Sequence, residues 1–148
     1  MKLLNCSLIF KHILLFSFIA LPLHSSGQIS LITSEEALRP DEPVKVTRGI
    51  TRGPSIKLLS NSIVDAKSFP FKLMIEPRGG AKNIPESLKI EYMKKPIIDL
   101  TERFKLAFNG NEIEIAKASV PVGLHALKVS IKDTEGRDAM VFISLDAK

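Results

Sequence analysis

The sequence predicts an all-β protein, namely an antiparallel β-sandwich of about seven strands. One observation is a stretch near the C-terminus, from Val120 to Leu145, in which apolar and polar residues alternate as they do in strands with one buried face. Another is a series of shorter alternating segments between residues 55 and 119, separated by proline, glycine and asparagine. No long segment carries the period of a helix, and this favours a sandwich over alternating strands and helices.

The C-terminal stretch predicts a β-hairpin. Leu127, Val129 and Ile131 alternate with polar or small residues, and a turn-forming run from Asp133 to Gly136 follows them. The alternation then resumes with a second set of apolar residues, Ala139, Val141, Ile143 and Leu145. We therefore expect the turn to set the register between the last two strands.

Earlier strands are predicted by the same alternation. They are marked by Ile56 and Leu58, by Phe69, Phe71, Leu73 and Ile75, and by Leu88, Ile90 and Tyr92. Pro70 has no N–H to donate to a ladder, so its strand is expected to begin at a sheet edge or a bulge. Turns are predicted at residues 76–80, which hold a proline and two glycines, and at residues 109–111.

Residues 97–108 are the ambiguous segment. They predict a single helical turn, capped by Asp99 or Thr101, within a loop that crosses between the two sheets. An irregular strand with a long connection is the alternative. The apolar residues that the helical turn would direct into the core are Phe104, Leu106 or Ala107, and Phe108.

The chain is expected to consist of three parts. Residues 1–27 combine a basic start, a short apolar run and small polar residues, which is typical of a cleaved signal peptide, and the apolar run is shorter than the roughly 20 residues of a membrane span. Residues 28–54 carry charges, three prolines and two glycines, and predict a flexible lead-in. Residues 55–148 are predicted to form the sandwich.

A signal peptide predicts export to the bacterial periplasm or the exterior, without stable membrane insertion after cleavage. The single cysteine, Cys6, lies within the signal. The mature chain would therefore have no disulfide and no cysteine metal ligand.

The charge of the chain argues against a nucleic-acid partner. Two of the 21 basic residues, Lys2 and Lys11, lie in the signal, which leaves 19 basic against 16 acidic residues in the rest of the chain. Nucleic-acid binding calls for a concentrated basic face. The chain also has no tryptophan and one tyrosine, which is a poor supply for a site built on stacked aromatic rings.

One concentrated basic segment is present all the same, and it comprises Lys45, Arg48, Arg52 and Lys57. It predicts a docking strip for an anionic polymer, a lipid head group or an acidic partner. The alternative is a turn-rich linker whose basic side chains are simply solvated.

The run from Pro121 through Gly123, His125 and Asp133 to Arg137 resembles the last two strands of bacterial immunoglobulin-like (Ig-like) domains. In those domains a P-x-G-x-aromatic stretch enters an alternating strand that ends in D-x-x-G. The resemblance implies an Ig-like sandwich used for adhesion, spacing or partner binding, and it implies no catalytic residues. His125 stands where an aromatic corner residue tends to lie, so the resemblance gives it a corner role through a hydrogen bond to nearby backbone.

These residues suggest two candidate metal sites. A metal-handling protein would use His125 together with carboxylates of the hairpin, but residues 28–148 contain one histidine and no cysteine, which makes a transition-metal site a poor prediction. Asp133, Glu135 and Asp138 lie close enough in sequence to hold calcium, although Lys132 and Arg137 are interleaved with them and oppose the charge. A plain turn is the favoured interpretation.

The function expected from the sequence is that of an exported, non-catalytic binding or structural accessory module. No cofactor and no catalytic residue are predicted, and the expected partner is another cell-envelope protein. The expected contact surfaces are a sheet edge, suggested by the proline in the strand at Phe69, and the basic segment. A small-ligand or metal-handling protein using His125, and a polyanion binder using Lys45–Lys57, are the alternatives.

Overall fold

The structure is a computed structural model, and it describes residues 27–44 and 52–148. The predicted signal peptide, apart from its last residue, lies outside the described residues, as do Lys45 and Arg48 of the basic segment.

Nine strands and two short helices make up the described part of the chain. The strands are β1 (Ile29–Ser30), β2 (Ser55–Leu58), β3 (Ile63–Val64), β4 (Phe69–Glu76), β5 (Asn83–Tyr92), β6 (Ile98–Asp99), β7 (Glu112–Ser119), β8 (Gly123–Asp133) and β9 (Asp138–Ala147). The helices are α1 (Ser34–Ala37) and α2 (Thr101–Lys105). Neither described helix is long and apolar enough to cross a membrane.

The strands form two sheets, and the predicted all-β sandwich is confirmed. The first sheet has the order β1-β7-β4-β2, and the second has the order β3-β9-β8-β5-β6. The longer strands pair antiparallel, whereas the two-residue strands β1 and β3 pair in parallel with β7 and β9. Three of the nine described strands have only two residues, which is too few to show an alternation in the sequence.

The core lies between the sheets and follows the predicted alternation. In β4 and in β8, every second residue from Phe69 and from His125 is buried. The largest fully buried side chains are Tyr92, Phe71, Phe104, Leu31, Ile32, Leu73, Ile75, Ile90, Leu100, Ile113, Leu127 and Ile131. Both sheets therefore contribute one face to a common core, which is how a sandwich is stabilised.

Part of the expected lead-in belongs to the sandwich. The prediction placed residues 28–54 outside the domain, but Leu31 and Ile32 are 0% and 1% exposed in the core. β1 pairs with β7, and the Leu31 N–H donates to the carbonyl of Ser119. The charges and prolines that suggested a flexible segment lie downstream of these buried residues, and the short β1 segment offers too few residues for a visible alternation.

The strand that contains Pro70 is not an edge strand, so that part of the edge prediction is wrong. β4 lies between β7 and β2 in the first sheet. Its ladder with β7 shifts register at Pro70, where Ala116 and Lys117 of β7 lie opposite this single residue of β4. A bulge at a proline is expected, because proline has no N–H to donate to the ladder.

The segment at residues 97–108 forms the predicted helical turn, α2, in the crossing from β6 of the second sheet to β7 of the first. Phe104 is fully buried, and its ring centroid lies 5.4 Å from that of Phe71. Leu106 points outward and is 98% exposed, so Ala107 is the neighbour that packs inward. Asp99 accepts the Thr101 N–H at 2.8 Å.

Candidate binding surface

His125 is buried at the start of β8, and both of its ring nitrogens are engaged. Nε2 lies 2.7 Å from the carbonyl oxygen of Pro121, so Nε2 carries the proton and donates it there. The Tyr92 hydroxyl lies 2.8 Å from Nδ1 and, in the neutral Nε2–H tautomer, donates to it. The predicted hydrogen bond to nearby backbone is therefore present, and the histidine joins β8 to β5 within the core.

Tyr92 extends this polar cluster to a buried lysine that the sequence did not indicate. The Lys94 ammonium lies 5.3 Å from the centroid of the Tyr92 ring and 2.6 Å from a carboxylate oxygen of Asp41. Burial lowers the pKa of Lys94, but the hydrogen bond to Asp41 and the contact with Tyr92 outweigh it and raise the pKa above its usual value. The charge is therefore retained although the side chain is only 6% exposed.

This arrangement gives no support to a metal site at His125. A ligating imidazole presents a nitrogen lone pair to the metal, whereas here one nitrogen donates and the other accepts within the protein. Within residues 27–44 and 52–148, no group of three or more histidine, cysteine, aspartate or glutamate side chains is placed to hold a metal ion.

Asp133 occupies the hairpin turn as a structural residue. One carboxylate oxygen accepts the backbone N–H groups of Glu135 and Arg137 at 3.0 and 2.9 Å, and the other accepts Nε of Arg137 at 2.7 Å. Burial raises the pKa of Asp133, but these hydrogen bonds outweigh it and lower the pKa below its usual value. Both of its oxygens therefore accept hydrogen bonds from residues of the turn.

The described residues of the basic segment do not form a cluster of unneutralised charge. Arg52 is exposed, and Lys57 on β2 lies 2.7 Å from Glu76 on β4. Between them, Gly53 packs so closely on the backbone of Asp138 that a Cβ would lie 2.5 Å from its carbonyl oxygen. The segment around Gly53 is therefore fixed against β9. The polyanion-binding strip from Lys45 to Lys57 stays a prediction.

The outer face of the second sheet carries exposed apolar side chains. We call this surface the β8–β9 face, and it consists of the outward residues of two strands together with one residue of β3. They are Leu124, Ala126, Lys128, Ser130 and Lys132 on β8, Met140, Phe142, Ser144 and Asp146 on β9, and Ile63 on β3. Leu124 is 68% exposed, Ile63 58% and Met140 46%. Leu124 and Ile63 flank Asp146 in one row across the three strands.

One side of the β8–β9 face is bordered by an ion triad. The two carboxylate oxygens of Glu91 on β5 lie 2.6 Å from Lys89 and 2.8 Å from Lys128. Burial raises the pKa of Glu91, but the two ammonium groups outweigh it and lower the pKa. The triad therefore connects β5 to β8.

A shallow groove of about 400 Å³ crosses the β8–β9 face. Its lining residues are Ser87, Lys128, Ser130, Ile131, Lys132, Asp138, Ala139 and Met140. The groove therefore presents lysine ammonium groups, hydroxyls and an exposed methionine side by side.

Sequence reasoning missed this surface, although one signal was available. The alternation that buries His125 and Leu127 also turns Leu124 outward, and an outward leucine on a strand is informative when others lie beside it. The neighbours of Leu124 come from β9 and β3, whose register the sequence does not reveal. The polar cluster of Asp41, Lys94 and Tyr92 had no comparable signal.

Comparison with known proteins adds a weak structural likeness. No protein-family model matches the chain, and no curated protein matches it at a significant level. Among solved structures, the PKD domain of the human VPS10 domain-containing receptor SorCS2 is similar at 14% identity and a TM-score of 0.34, over 72% of this chain and 84% of that chain. The fold assignment rests on the two sheets described above, and the chain is an all-β sandwich.

Proposed function

We propose that this chain is an exported, non-catalytic binding module that contacts another cell-envelope protein through the β8–β9 face. The observation that carries the proposal is the exposure of Leu124, Ile63 and Met140 on one side of one sheet. Leu124 and Ile63 lie in one row, and Met140 lies three outward rows away beside the half-buried Phe142. Apolar side chains exposed on one face of a soluble domain mark contact surfaces, because leaving them in water is unfavourable.

The absence of catalysis is supported by how the reactive side chains are used. General acid–base chemistry needs a titratable group that can reach a substrate proton. His125 is bonded at both nitrogens, Asp133 is bonded at both oxygens, and Lys94 is covered and paired with Asp41. Each of these groups stabilises the fold at its position.

Export is the part of the proposal that rests on the sequence. The apolar run before residue 24 and the small residues after it predict cleavage near Gly27. Mass spectrometry of the protein recovered from the periplasm of the expressing cell is expected to find a chain that begins near residue 28. Recovery of the intact chain from the cytoplasm would contradict export.

The binding face is tested by photo-crosslinking in cells that express the native chain. A photoreactive amino acid is placed at Ser144 on the β8–β9 face, and the control is placed at Ala116, an exposed residue of the first sheet. A discrete adduct from position 144 and none from position 116 is the expected result. Adducts of equal yield from both positions, or none from either, would contradict the proposal.

A further inference from the structure

The groove on the β8–β9 face is formed beside an irregularity in β5. Ile84 pairs with Lys132 on β8, whereas Lys89 pairs with Ser130, so residues 85–88 bulge opposite a single residue of β8. The Ser87 hydroxyl accepts the backbone N–H of Lys132 at 2.8 Å, which fixes the bulge at one wall of the groove. The groove is therefore a feature of the strand register and not of a loop.

Ammonium groups surround the floor of the groove. Ser130 lies on the floor, with Lys128 and Lys132 two residues away on either side along β8 and Lys89 opposite on β5. Glu91 takes one hydrogen bond from Lys89 and one from Lys128, and each ammonium has three N–H donors. Lys132 is 60% exposed and lies 3.6 Å from Asp138, beyond an ordinary hydrogen bond. N–H donors therefore remain for an incoming anion.

Apolar surface lies directly beside these donors. Met140 on β9 is the cross-strand partner of Ser130, and Phe142 is the partner of Lys128. Met140 is 46% exposed, and Phe142 is half-buried. A ligand that places a carboxylate over Ser130 would bring its neighbouring atoms onto the Met140 side chain, and methionine adapts its shape to varied apolar partners.

We propose that this groove binds an extended acidic segment of the partner protein, with a carboxylate on Lys128 and Lys132 and an aliphatic side chain on Met140. The inference rests on the proposed function, because it concerns the same face. It adds the chemistry of the partner.

The charges at the groove favour single carboxylates over a dense polyanion. The three lysines are opposed by Glu91 and Asp138 within the same surface, so the excess positive charge is small. A polymer with closely spaced phosphates would approach both acidic side chains as well as the lysines, at a cost in Coulomb energy. An acidic side chain with an apolar neighbour avoids this repulsion and uses Met140.

The test is fluorescence anisotropy with the mature chain and a fluorescein-labelled peptide. In the probe, aspartate and leucine are separated by single glycines, so that both side chains lie on one side of an extended chain. Matched probes carry asparagine for aspartate, or serine for leucine. The groove variant is Lys132→Glu, and Lys117→Glu, at an exposed position of β7, makes the same charge change on the first sheet.

The aspartate–leucine probe is expected to bind, and both matched probes are expected to bind more weakly. Lys132→Glu is expected to weaken binding about tenfold. A tenfold change in Kd corresponds to about 1.4 kcal/mol, which is the order of the Coulomb energy lost when an exposed charge near a carboxylate is reversed. Lys117→Glu is expected to leave binding unchanged. Equal weakening by both variants, equal binding of all three probes, or no binding would overturn the inference. If the peptide fails while the adduct at Ser144 persists, the inference falls and the binding face stands.

Discussion

The outer faces of the two sheets meet water in different ways. On the first sheet, Lys72 of β4 lies 2.8 and 3.2 Å from Glu112 and Glu114 of β7. Lys57 and Glu76 form a further pair on the same sheet. On the second sheet, the β8–β9 face exposes Leu124, Ile63 and Met140. The first face carries cross-strand ion pairs, whereas the second combines exposed apolar side chains with lysines, serines and Asp146, although both belong to strands of the same alternating pattern.

The two outer faces therefore bear on different properties: the ion pairs of the first sheet bear on stability, and the apolar side chains of the β8–β9 face bear on binding. Cross-strand ion pairs on an exposed face contribute little to the free energy of unfolding, but they keep the face solvated and discourage non-specific contact. Exposed apolar side chains contribute less to the stability of the monomer than buried ones do. They contribute free energy to binding when a partner covers them and removes them from water. Burial of the apolar side chains of the β8–β9 face would therefore favour association.

The largest effect on the free energy of unfolding is expected in the core between the two sheets. Phe104→Ala removes a fully buried ring that contacts Phe71. We expect it to lower the free energy of unfolding by about 3–5 kcal/mol, as large cavities do in cores. Leu106→Ala, at a position that is 98% exposed, is the control and is expected to change it little. Chemical denaturation measures both, and equal effects would contradict the assignment of Phe104 to the core.

A smaller loss is expected in the core behind the β8–β9 face, where Tyr92 of β5 contacts His125 of β8. Tyr92→Phe removes the hydroxyl that lies 2.8 Å from Nδ1 of His125 and leaves that nitrogen buried without its donor. The free energy of unfolding is expected to fall by about 1–2 kcal/mol. The adduct yield at Ser144 is expected to stay unchanged, because the variant alters the core and not the outer face. A loss of the adduct from a folded Tyr92→Phe protein would mean that the two sides of β8 are coupled.

The ion pair between Glu36 of α1 and Arg103 of α2 should make the free energy of unfolding depend on pH. Both oxygens of Glu36 accept N–H groups of Arg103 at 2.8 and 2.7 Å, which with the Thr33 N–H lowers the pKa of Glu36 from 4.5 to about 2. A lowered folded-state pKa stabilises the fold above pH 4.5, and the contribution is lost as the pH falls towards about 2.

Because the pair is partly solvated, we expect this contribution to be about 1 kcal/mol rather than the full value of the shift. Glu36→Gln is expected to lower stability at pH 7 and to flatten its decline between pH 4.5 and 2. Thermal unfolding across this pH range measures the effect. A wild-type and a variant curve that run parallel would contradict the assignment.

The smallest effect on the free energy of unfolding is expected when one acidic residue on each face is replaced. Glu91 is 9% exposed and bonds two lysines, whereas Glu114 is 62% exposed. Glu91→Gln is expected to cost about 0.5–1 kcal/mol, a figure reduced for the solvation of its lysine partners. Glu114→Gln is expected to have no measurable effect. Denaturation of the two variants in parallel tests the difference, and a larger loss for Glu114→Gln would reverse the contrast between the faces.

Local patterns predicted much of the fold. The alternation from Leu127 onward and the turn at Asp133 identified the final hairpin, because both side-chain alternation and turn-forming residues can be recognised within a few residues of sequence. The helical turn at Phe104 and the bulge at Pro70 were predicted for the same reason. The burial of Leu31 was not, because it depends on β1 pairing with a strand far along the chain.

The candidate surface was harder to predict than the fold. Leu124 and Ile63 become neighbours only through the register of β8, β9 and β3, and no local pattern encodes that register. The basic segment drew attention because its charges are adjacent in sequence. In the structure, Lys57 of that segment pairs with Glu76, which the sequence does not place beside it.

The most direct test of the β8–β9 face as the binding surface compares two leucine-to-glutamate variants. Leu124→Glu replaces an exposed apolar residue of the β8–β9 face with a charged one, and Leu106→Glu makes the same change at the exposed residue that follows α2. The measurement is the yield of the photo-adduct from Ser144 in cells that export each variant at wild-type level. We expect Leu124→Glu to abolish the adduct and Leu106→Glu to preserve it. An undiminished adduct in Leu124→Glu would show that the β8–β9 face is not the binding surface.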